Sequence, residues 1–487
     1  MKILWIDDEI EGFRPHLKFL EKEGVEVKTA DHPEHALKIL RRETFDLILL
    51  DYRMPGLNGL ETLKRIKRIS PNIPVALVSM ISDKDVIEET IAEDIFDYII
   101  KPIKPTQILA LIKRLEADKL KEKLKGKKIS ERYFEILELP ENFDGWVRKG
   151  EVLLTWKAET PEDETLIEEL SSQNNAFAKW VFDNYTTLFH EDHLRSYNLL
   201  EKEIFPLLSS GEKVAFFVFD SFRYDQFLHF VKLFPGSIKV EVKPYMGILP
   251  TATVFARNAI FAGKTPVDIY RIHPDWLSNN RHEMELLQEN LISHGLRNVN
   301  FNFQKINSQT QLRSLKIKDA QFEVFVLNFL DLISHLRQEV EALKDIAGDE
   351  ASFIRWCNFI LKDAELDTFF RSLIDKGYTV FATTDHGWVE VRHPVIIIGG
   401  EDLTQGLRFK FGDSARVKDR GAFMIYKLSD WKLPSIKTKS RLAITYEYYF
   451  LVYPSDPNVY KKIYEGGIFH GGITLEELIL PVLKLSS

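Results

Sequence analysis

Two sets of residues in this 487-residue chain have the types and the spacing to do chemistry. The first is built on carboxylates that stand directly after apolar runs. Asp7 and Asp8 follow Lys2–Ile6, and Asp51 follows Leu47-Ile48-Leu49-Leu50 and opens the stretch Asp51-x-x-Met54-Pro55-Gly56. Ser79 follows Val75–Val78, and Lys101-Pro102 follows Tyr98–Ile100. Three carboxylates with oxygen-only chemistry suit Mg²⁺, which takes a few carboxylates, a carbonyl and waters. With the metal partly neutralising the site, Asp51 can attack phosphorus as a nucleophile. Lys101 would then offset the charge of the acyl phosphate, and Ser79 would offer its hydroxyl to a phosphoryl oxygen. A lone Asp after a strand is usually a turn former or a helix cap; here the set as a whole carries the reading.

The second set is more spread out. Val214–Phe219 ends in Asp220, and Val324–Leu327 leads to Asp331-Leu-Ile-Ser-His335. Asp331 and His335 form an i, i+4 pair that projects from one helix face toward one ion. Tyr378–Thr383 leads to Thr384-Asp385-His386-Gly387, and His470 lies among glycines in Gly466–Gly472. Asp385 and His386 can serve one ion if the chain turns there, and Gly387 permits a turn. Mixed carboxylate and imidazole ligands favour Zn²⁺ or Mn²⁺ over Mg²⁺. The segment Leu249–Arg257 supplies two hydroxyls, Thr251 and Thr253. Threonine is a poor nucleophile unless a metal lowers its pKa or a base takes its proton. In a turn that opens a helix, Thr253 is exposed at the tip with Thr251 capping from behind, and the helix N-terminus favours a phosphate. Arg257 and Arg223 are the nearby cations.

Strand–helix alternation must position both sets. Through residue 118 five strand-like runs (Lys2–Ile6, Val25–Thr29, Leu47–Leu50, Val75–Val78, Tyr98–Ile100) interleave with amphipathic stretches at Arg14–Glu23, Pro33–Arg42 and Gly59–Ile69, which predicts a doubly wound parallel sheet. Loops at the carboxyl ends of such strands converge, which brings Asp7, Asp8, Asp51, Ser79 and Lys101 together. Residues 113–128 hold eight Lys/Arg against three acids, with Leu115, Leu120 and Leu124 at helical spacing, and read as a basic connecting helix. Residues 119–205 predict a helical bundle with helices at Glu162–Leu170, Asn175–Phe182 and His193–Leu207. From 206 to 487 strands recur at Val214–Phe219, Ser237–Pro244, Val324–Leu327, Tyr378–Thr383, Val395–Ile398 and a last stretch to Leu485, which predicts a second, larger α/β domain.

The first 118 residues resemble the receiver domain of two-component response regulators, a flavodoxin-like fold. The resemblance implies that Asp51 accepts a phosphoryl group from a sensor histidine kinase, that Asp8, Asp51 and the Arg53 carbonyl hold one Mg²⁺ with Asp7 assisting through water, and that Ser79 and Tyr98 are the switch pair. Residues 206–487 resemble the alkaline phosphatase superfamily and, more narrowly, the PglZ-type domain found behind receivers in PorX-type regulators. That resemblance implies two Zn²⁺ ions, one held by Asp220, Thr253, Asp385 and His386, the other by Asp331, His335 and His470. The superfamily's Pro-Thr-x-Thr pattern puts the nucleophile at Thr253, with Thr251 the alternative. Arg257 is a further candidate catalytic residue. The expected route has two steps, in-line attack by threonine and then hydrolysis of the phosphothreonine.

Composition narrows the function classes. The formal charge is −8, and the segment after the receiver is net acidic, so duplex DNA binding is not expected. The single cysteine, Cys357, excludes an intrachain disulfide and a Cys-rich zinc site, and it stands far from the threonine turn, which favours phosphoryl transfer over sulfate hydrolysis. No signal peptide or run of about 18 apolar residues is present, so a cytoplasmic protein without a transmembrane segment is expected. The family resemblance implies a phosphodiesterase acting on small linear or cyclic oligonucleotides and a role in type IX secretion control, and rearrangement of the receiver face near the fifth strand is expected to gate it by homodimerisation on phosphorylation. The alternative is a non-catalytic signalling protein that docks a sigma factor or a membrane secretion-complex protein.

Overall fold

The computed structural model describes the chain apart from residues 56–58, 80–94, 235, 237, 340–346, 401, 436–439 and 487, and apart from the side chains of 117–127 and 335–339. Gly56 of the Asp51 motif and the side chains of Leu120, Leu124 and His335 therefore lie outside the described residues. Two compact units are present, Met1–Tyr133 and Phe134–Ser487.

In the N-terminal unit, β1 (Lys2–Ile6), β2 (Glu26–Ala30), β3 (Leu47–Asp51), β4 (Val75–Ser79) and β5 (Asp97–Ile100) form one sheet in the order β2-β1-β3-β4-β5. Every pair is parallel. Side chains alternate between faces with period two. Ile3, Trp5, Leu47 and Leu49 pack on one side with Leu20 of α1 (Arg14–Lys22) and with Ile108, Leu111, Ile112 and Leu115 of α4 (Pro105–Glu138). Leu4, Ile6, Ile48 and Leu50 pack on the other with Leu37 and Leu40 of α2 (Pro33–Leu40) and Leu63 and Ile66 of α3 (Gly59–Ile69). Helices on both faces explain why Leu47–Leu50 is apolar at every position rather than at alternate ones. The order reverses between β1 and β3, and Asp7 and Asp51 stand at the carboxyl ends of those two strands, where such folds hold ligands. Helix α4 is 34 residues long and runs unbroken through the basic stretch 113–128.

The main sheet of the C-terminal unit joins β6 (Lys213–Phe219), β7 (Lys239–Met246), β8 (Phe301–Ile306), β9 (Phe322–Leu327), β10 (Tyr378–Thr384) and β11 (Ile479–Ser486) in the order β7-β11-β10-β6-β9-β8. Only β11 runs against the others. Phe217, Phe219, Phe325 and Leu327 face one core, shared with Phe227 and Phe230 of α7 (Tyr224–Val231), Phe353 and Ile360 of α11 (Glu350–Asp363) and Phe370 of α12 (Leu366–Asp375). Phe216, Val218, Val324 and Val326 face the other, shared with Ile260 and Phe261 of α8 (Thr253–Ala262) and Leu287 and Leu291 of α9 (Glu283–Ser293). Cys357 is buried in the first core, and burial pushes its thiol up to about 12, which makes it an inert packing residue.

Several local expectations need correcting. The two helices foreseen at Glu162–Leu170 and Asn175–Phe182 are one, α6 (Glu164–Asn184), capped by Asp163 and preceded by α5 (Phe143–Glu159). His193–Leu207 is not one helix: a 3₁₀ turn at Ser196–Asn198 and a π segment at Leu200–Ile204 lead into a short helix, Phe205–Ser209, whose early Pro206 cannot donate a hydrogen bond to the turn before it. Val395–Ile398 forms a strand as expected, within His393–Ile398, and pairs with Tyr449–Val452 in a small sheet apart from the main one. Strand β8 was not foreseen because Asn302, Gln304 and Lys305 break its apolar run, as an edge strand tolerates.

Candidate functional sites

In the N-terminal unit, ligand oxygens of Asp7, Asp8 and Asp51 lie within 4.8 Å of one another, with Asp7 and Asp51 buried and Asp8 exposed. Lys101 follows β5, and its Nζ lies 2.9 Å from Asp51 Oδ2 and 3.1 Å from Asp7 Oδ2. Burial pushes the Asp51 carboxyl above its ordinary range, with the Asp7 charge adding to the shift and Lys101 opposing it. A buried carboxylate pair held by a single lysine has charge to spare for a cation. Ser79 ends β4 in register with Ile100, the Lys101 amide donates to the Ser79 carbonyl (2.8 Å), and the buried Ser79 Oγ has no hydrogen-bond partner among the described residues. The Arg53 amide approaches Asp51 Oδ1 at 3.4 Å. Tyr98 is half-buried on β5 against the core that contains Leu63 and Leu77.

In the C-terminal unit, register explains the second cluster. Thr384 pairs with Phe219 and Phe219 with Leu327, so the residues following β10, β6 and β9 leave the sheet at one level. Asp385, Asp220 and, at the start of α10 (Phe329–Glu339), Asp331 emerge there. Ligand atoms of Asp220, Asp385 and His386 lie within 4.8 Å of one another, all three residues buried. His386 Nε2 is 4.0 Å from Asp220 Oδ1 and 3.8 Å from Asp385 Oδ2. The His470 ring stacks on that of His386 with centroids 4.0 Å apart, and its Nε2 lies 3.7 Å from Asp331 Oδ1. His335 shares α10 with Asp331, one turn on.

The two histidines are oriented alike. His386 Nδ1 meets the Gly387 carbonyl at 3.1 Å and His470 Nδ1 meets the Thr251 carbonyl at 2.9 Å. A carbonyl only accepts, so each Nδ1 donates, an orientation that turns each Nε2 toward the carboxylates. Burial, then the neighbouring His470, pushes His386 well below its usual range, while burial pushes Asp220 up and, together with Asp220, pushes Asp385 well above the usual carboxylate range. Asp385 Oδ2 is buried with no hydrogen-bond partner among the described residues. A pocket that resists charge on its carboxylates and on its imidazole, and leaves a carboxylate oxygen orphaned, fits a divalent cation.

The two threonines have different surroundings. Thr253 begins α8, and its Oγ1 lies 3.0 Å from His386 Nε2 and 3.3 Å from Asp220 Oδ1. Thr251 is buried: its hydroxyl accepts from the Gly471 amide (2.9 Å) and faces the Gly472 carbonyl (3.1 Å) and Glu477 Oε1 (3.3 Å). It is bonded to the loop that carries His470. Glu477 also binds Arg408 Nη2 (2.5 Å) and the Gly472 amide (2.8 Å).

The arginines are committed to carboxylates. Arg257, buried, reaches Asp220 Oδ2 through Nη1 (2.8 Å) and donates to Glu283 Oε1 through Nε (2.6 Å), while Lys305 Nζ lies 2.7 Å from Glu283 Oε2. Arg223 binds Asp225 and Glu350 and lies over the Trp388 ring. Gly387 is needed for space, because a Cβ there would lie 1.9 Å from the Glu476 carbonyl oxygen.

The helices after residue 134 take part as well. Asn174 of α6 is fully buried, accepts from the Leu475 amide and donates to Glu476 Oε2, both at 2.8 Å. Lys157 of α5 lies 2.8 Å from Glu350 and 3.5 Å from Glu476. These contacts brace the segment that follows His470. Sequence reasoning missed Asn174, Glu283, Lys305, Arg408 and Glu477. Only Glu477 left a local signal, the Thr474-x-x-Glu477 capping pattern, in which Thr474 accepts from the Glu477 amide at 3.1 Å.

Among the described residues no helix is long and apolar enough to cross a membrane. Comparison with known proteins agrees with the two-part reading. Residues 3–113 match the response regulator receiver domain, and residues 199–485, more than half of the chain, match the BREX system PglZ alkaline phosphatase-like domain. The transcriptional regulatory protein ZraR of Klebsiella oxytoca is 38% identical over 101 residues, 21% of this chain and 23% of that protein. The cyclic di-GMP phosphodiesterase response regulator RpfG of Xanthomonas campestris pv. campestris (strain 8004) is 31% identical over 114 residues, 23% of this chain and 30% of that protein. The chain thus spans under a third of the length of these curated relatives. A CheY-like receiver domain protein from Methanospirillum hungatei JF-1 aligns at 26% identity with a TM-score of 0.24, over 25% of this chain and 97% of that one. With a receiver domain at its N-terminus, the chain belongs to the PglZ family of alkaline phosphatase-like domains.

Proposed function

We propose that the protein is a response regulator, phosphorylated on Asp51 by a histidine kinase, whose output is a metal-dependent phosphodiesterase with Thr253 as nucleophile. The observation that carries this reading is the Thr253 hydroxyl, which lies within hydrogen-bonding distance of His386 and Asp220 while the Thr251 hydroxyl is occupied by the His470 loop. Asp220, Asp385, His386 and Thr253 would hold one Zn²⁺, and Asp331, His335 and His470 a second; Asp8, Asp51 and the Arg53 carbonyl, assisted by Asp7, would hold Mg²⁺ in the receiver. When bound, the two zinc ions supply the charge that lowers the threonine pKa and offsets charge at phosphorus.

The chain's own residues do the rest. Thr253 Oγ1 forms a bond to phosphorus as the bond to one ester oxygen breaks, and that oxygen leaves as an alcohol. Water then cleaves the Thr253 phosphodiester, which releases a monoester and restores the hydroxyl. Arg257 acts as a positioning residue, holding one oxygen of Asp220 so that the other faces Thr253. Arg257, Arg223 and Arg408 are each tied to carboxylates, so these three arginines are not free to clamp a doubly charged monoester. That favours a singly charged diester, including small linear or cyclic oligonucleotides. RpfG likewise carries both phosphodiesterase and response regulator in its name. Phosphorylation is proposed to act through dimerisation, with α4 carrying the change.

The test is direct. With zinc supplied, the full chain is expected to hydrolyse bis(p-nitrophenyl) phosphate with a kcat/KM at least about ten-fold above that for p-nitrophenyl phosphate. A preference for the monoester contradicts the reading.

A further inference from the structure

The C-terminal site borders an aromatic surface that the proposed chemistry does not use. The strand Phe409–Gly412 brings Phe409 and Phe411 to Phe255, with ring centroids 6.3 and 5.8 Å away, and the two strand rings are 5.9 Å apart. Phe255 lies two residues beyond Thr253, in the first turn of α8. Phe255 and Phe411 are buried, whereas Phe409 is only half-buried. The Phe409 ring rests on the backbone of Gly471: a Cβ at Gly471 would lie 2.4 Å from Phe409 Cδ1, and the glycine has a φ of +116°. Phe409 therefore touches both the helix that carries Thr253 and the loop that carries His470. Its neighbours hold it in place, since Arg408 is paired with Glu477, and Lys410 Nζ donates to the Thr404 carbonyl (2.8 Å).

A partly open aromatic ring, backed by two more rings and set beside a nucleophile, offers a flat apolar face and no charge. It has nothing for a phosphoryl group. A planar ring carried on an ester oxygen would gain stacking there, and such stacking tolerates any base because every base has a π-face. We propose that Phe409, backed by Phe255 and Phe411, is an aromatic subsite for the ester substituent of the diester, a nucleobase when the substrate is a nucleotide. This rests on the diesterase reading and adds to it the residue that selects the substituent.

Calorimetric binding of adenosine 5′-monophosphate and of methyl phosphate to the zinc-loaded full chain separates the two ideas, because it does not depend on turnover. Both ligands carry one phosphate, and only one carries a ring. The wild-type chain is expected to bind the nucleotide at least about ten-fold more tightly, and Phe409→Leu to erase most of that ratio, the equivalent of about 1.4 kcal/mol. Phe409→Tyr, which keeps a ring, should retain it. A ratio unchanged in Phe409→Leu overturns the subsite, and an equal loss in the Leu and Tyr variants marks a packing role and overturns it as well. Absence of diester turnover in the wild type, with the binding ratio intact, removes the diesterase reading and leaves the ring-binding surface.

Discussion

Thr253→Ala is expected to lower kcat for an aryl phosphodiester by about 10⁴-fold or more, the scale seen when a covalent nucleophile is removed from a site that otherwise stays assembled. Most of the bound zinc should remain, because Asp220, Asp385 and His386 still converge with ligand atoms within 4.8 Å of one another. Asp220→Ala should behave differently. It removes a proposed ligand, the hydroxyl's 3.3 Å neighbour and the carboxylate that Arg257 holds, so turnover and zinc are expected to fall together. Arg257 would then be left with Glu283 and a 3.8 Å approach to Asp385, and a buried cation stripped of one partner is costly. Zinc stoichiometry measured beside turnover distinguishes the variants. Full zinc retention in Asp220→Ala sinks its assignment as a ligand.

The second large effect belongs to the other unit. Asp51→Asn should abolish incorporation of phosphate from acetyl phosphate, because an amide oxygen is not an adequate nucleophile toward phosphorus. The substitution keeps the side chain's size, so the sheet should be undisturbed: Asp51 ends a strand whose Leu47–Leu50 residues are fully buried. Lys101 would keep its 3.1 Å pairing with Asp7, which holds the loop in place. Labelling measured by intact mass should show one phosphate on the wild-type chain and none on the variant. Persistent labelling would place the acceptor elsewhere.

Much of this arrangement was legible from residue order because strand ends are legible. An apolar run followed at once by a carboxylate marks a strand's carboxyl end, and parallel neighbours in register bring such ends together. Asp7, Asp51 and Asp220 follow that rule directly, while Asp385 comes after two threonines and Asp331 opens the helix after its strand. The separation of Thr251 from Thr253 could not be read from residue order, because it depends on the loop around Gly471 and Gly472, more than 200 residues away in the chain, folding back to bond one hydroxyl and not the other. The role of the helices after residue 134 was hidden for the same reason. Asn174 looks like an ordinary polar residue on a helix face until its partners, Leu475 and Glu476, are seen, about 300 positions on. Arg257 read as a nearby cation and a candidate catalytic residue, and its buried pairing with Asp220 and Glu283, which supports the proposed positioning role, was not legible. Residues that stand at strand ends could be read even where their partners are distant in the chain, whereas those placed by loops and helix faces could not.

The central claim is that Thr253 attacks the diester, and it can be tested by trapping the adduct. The zinc-loaded chain is mixed with bis(p-nitrophenyl) phosphate, quenched in acid within the first turnover, and its peptides are analysed by mass spectrometry. The account predicts a p-nitrophenyl phosphoryl group on Thr253, lost on longer incubation and absent from Thr253→Ala. An adduct on Thr251, or steady diester turnover by Thr253→Ala at the wild-type rate, would contradict it.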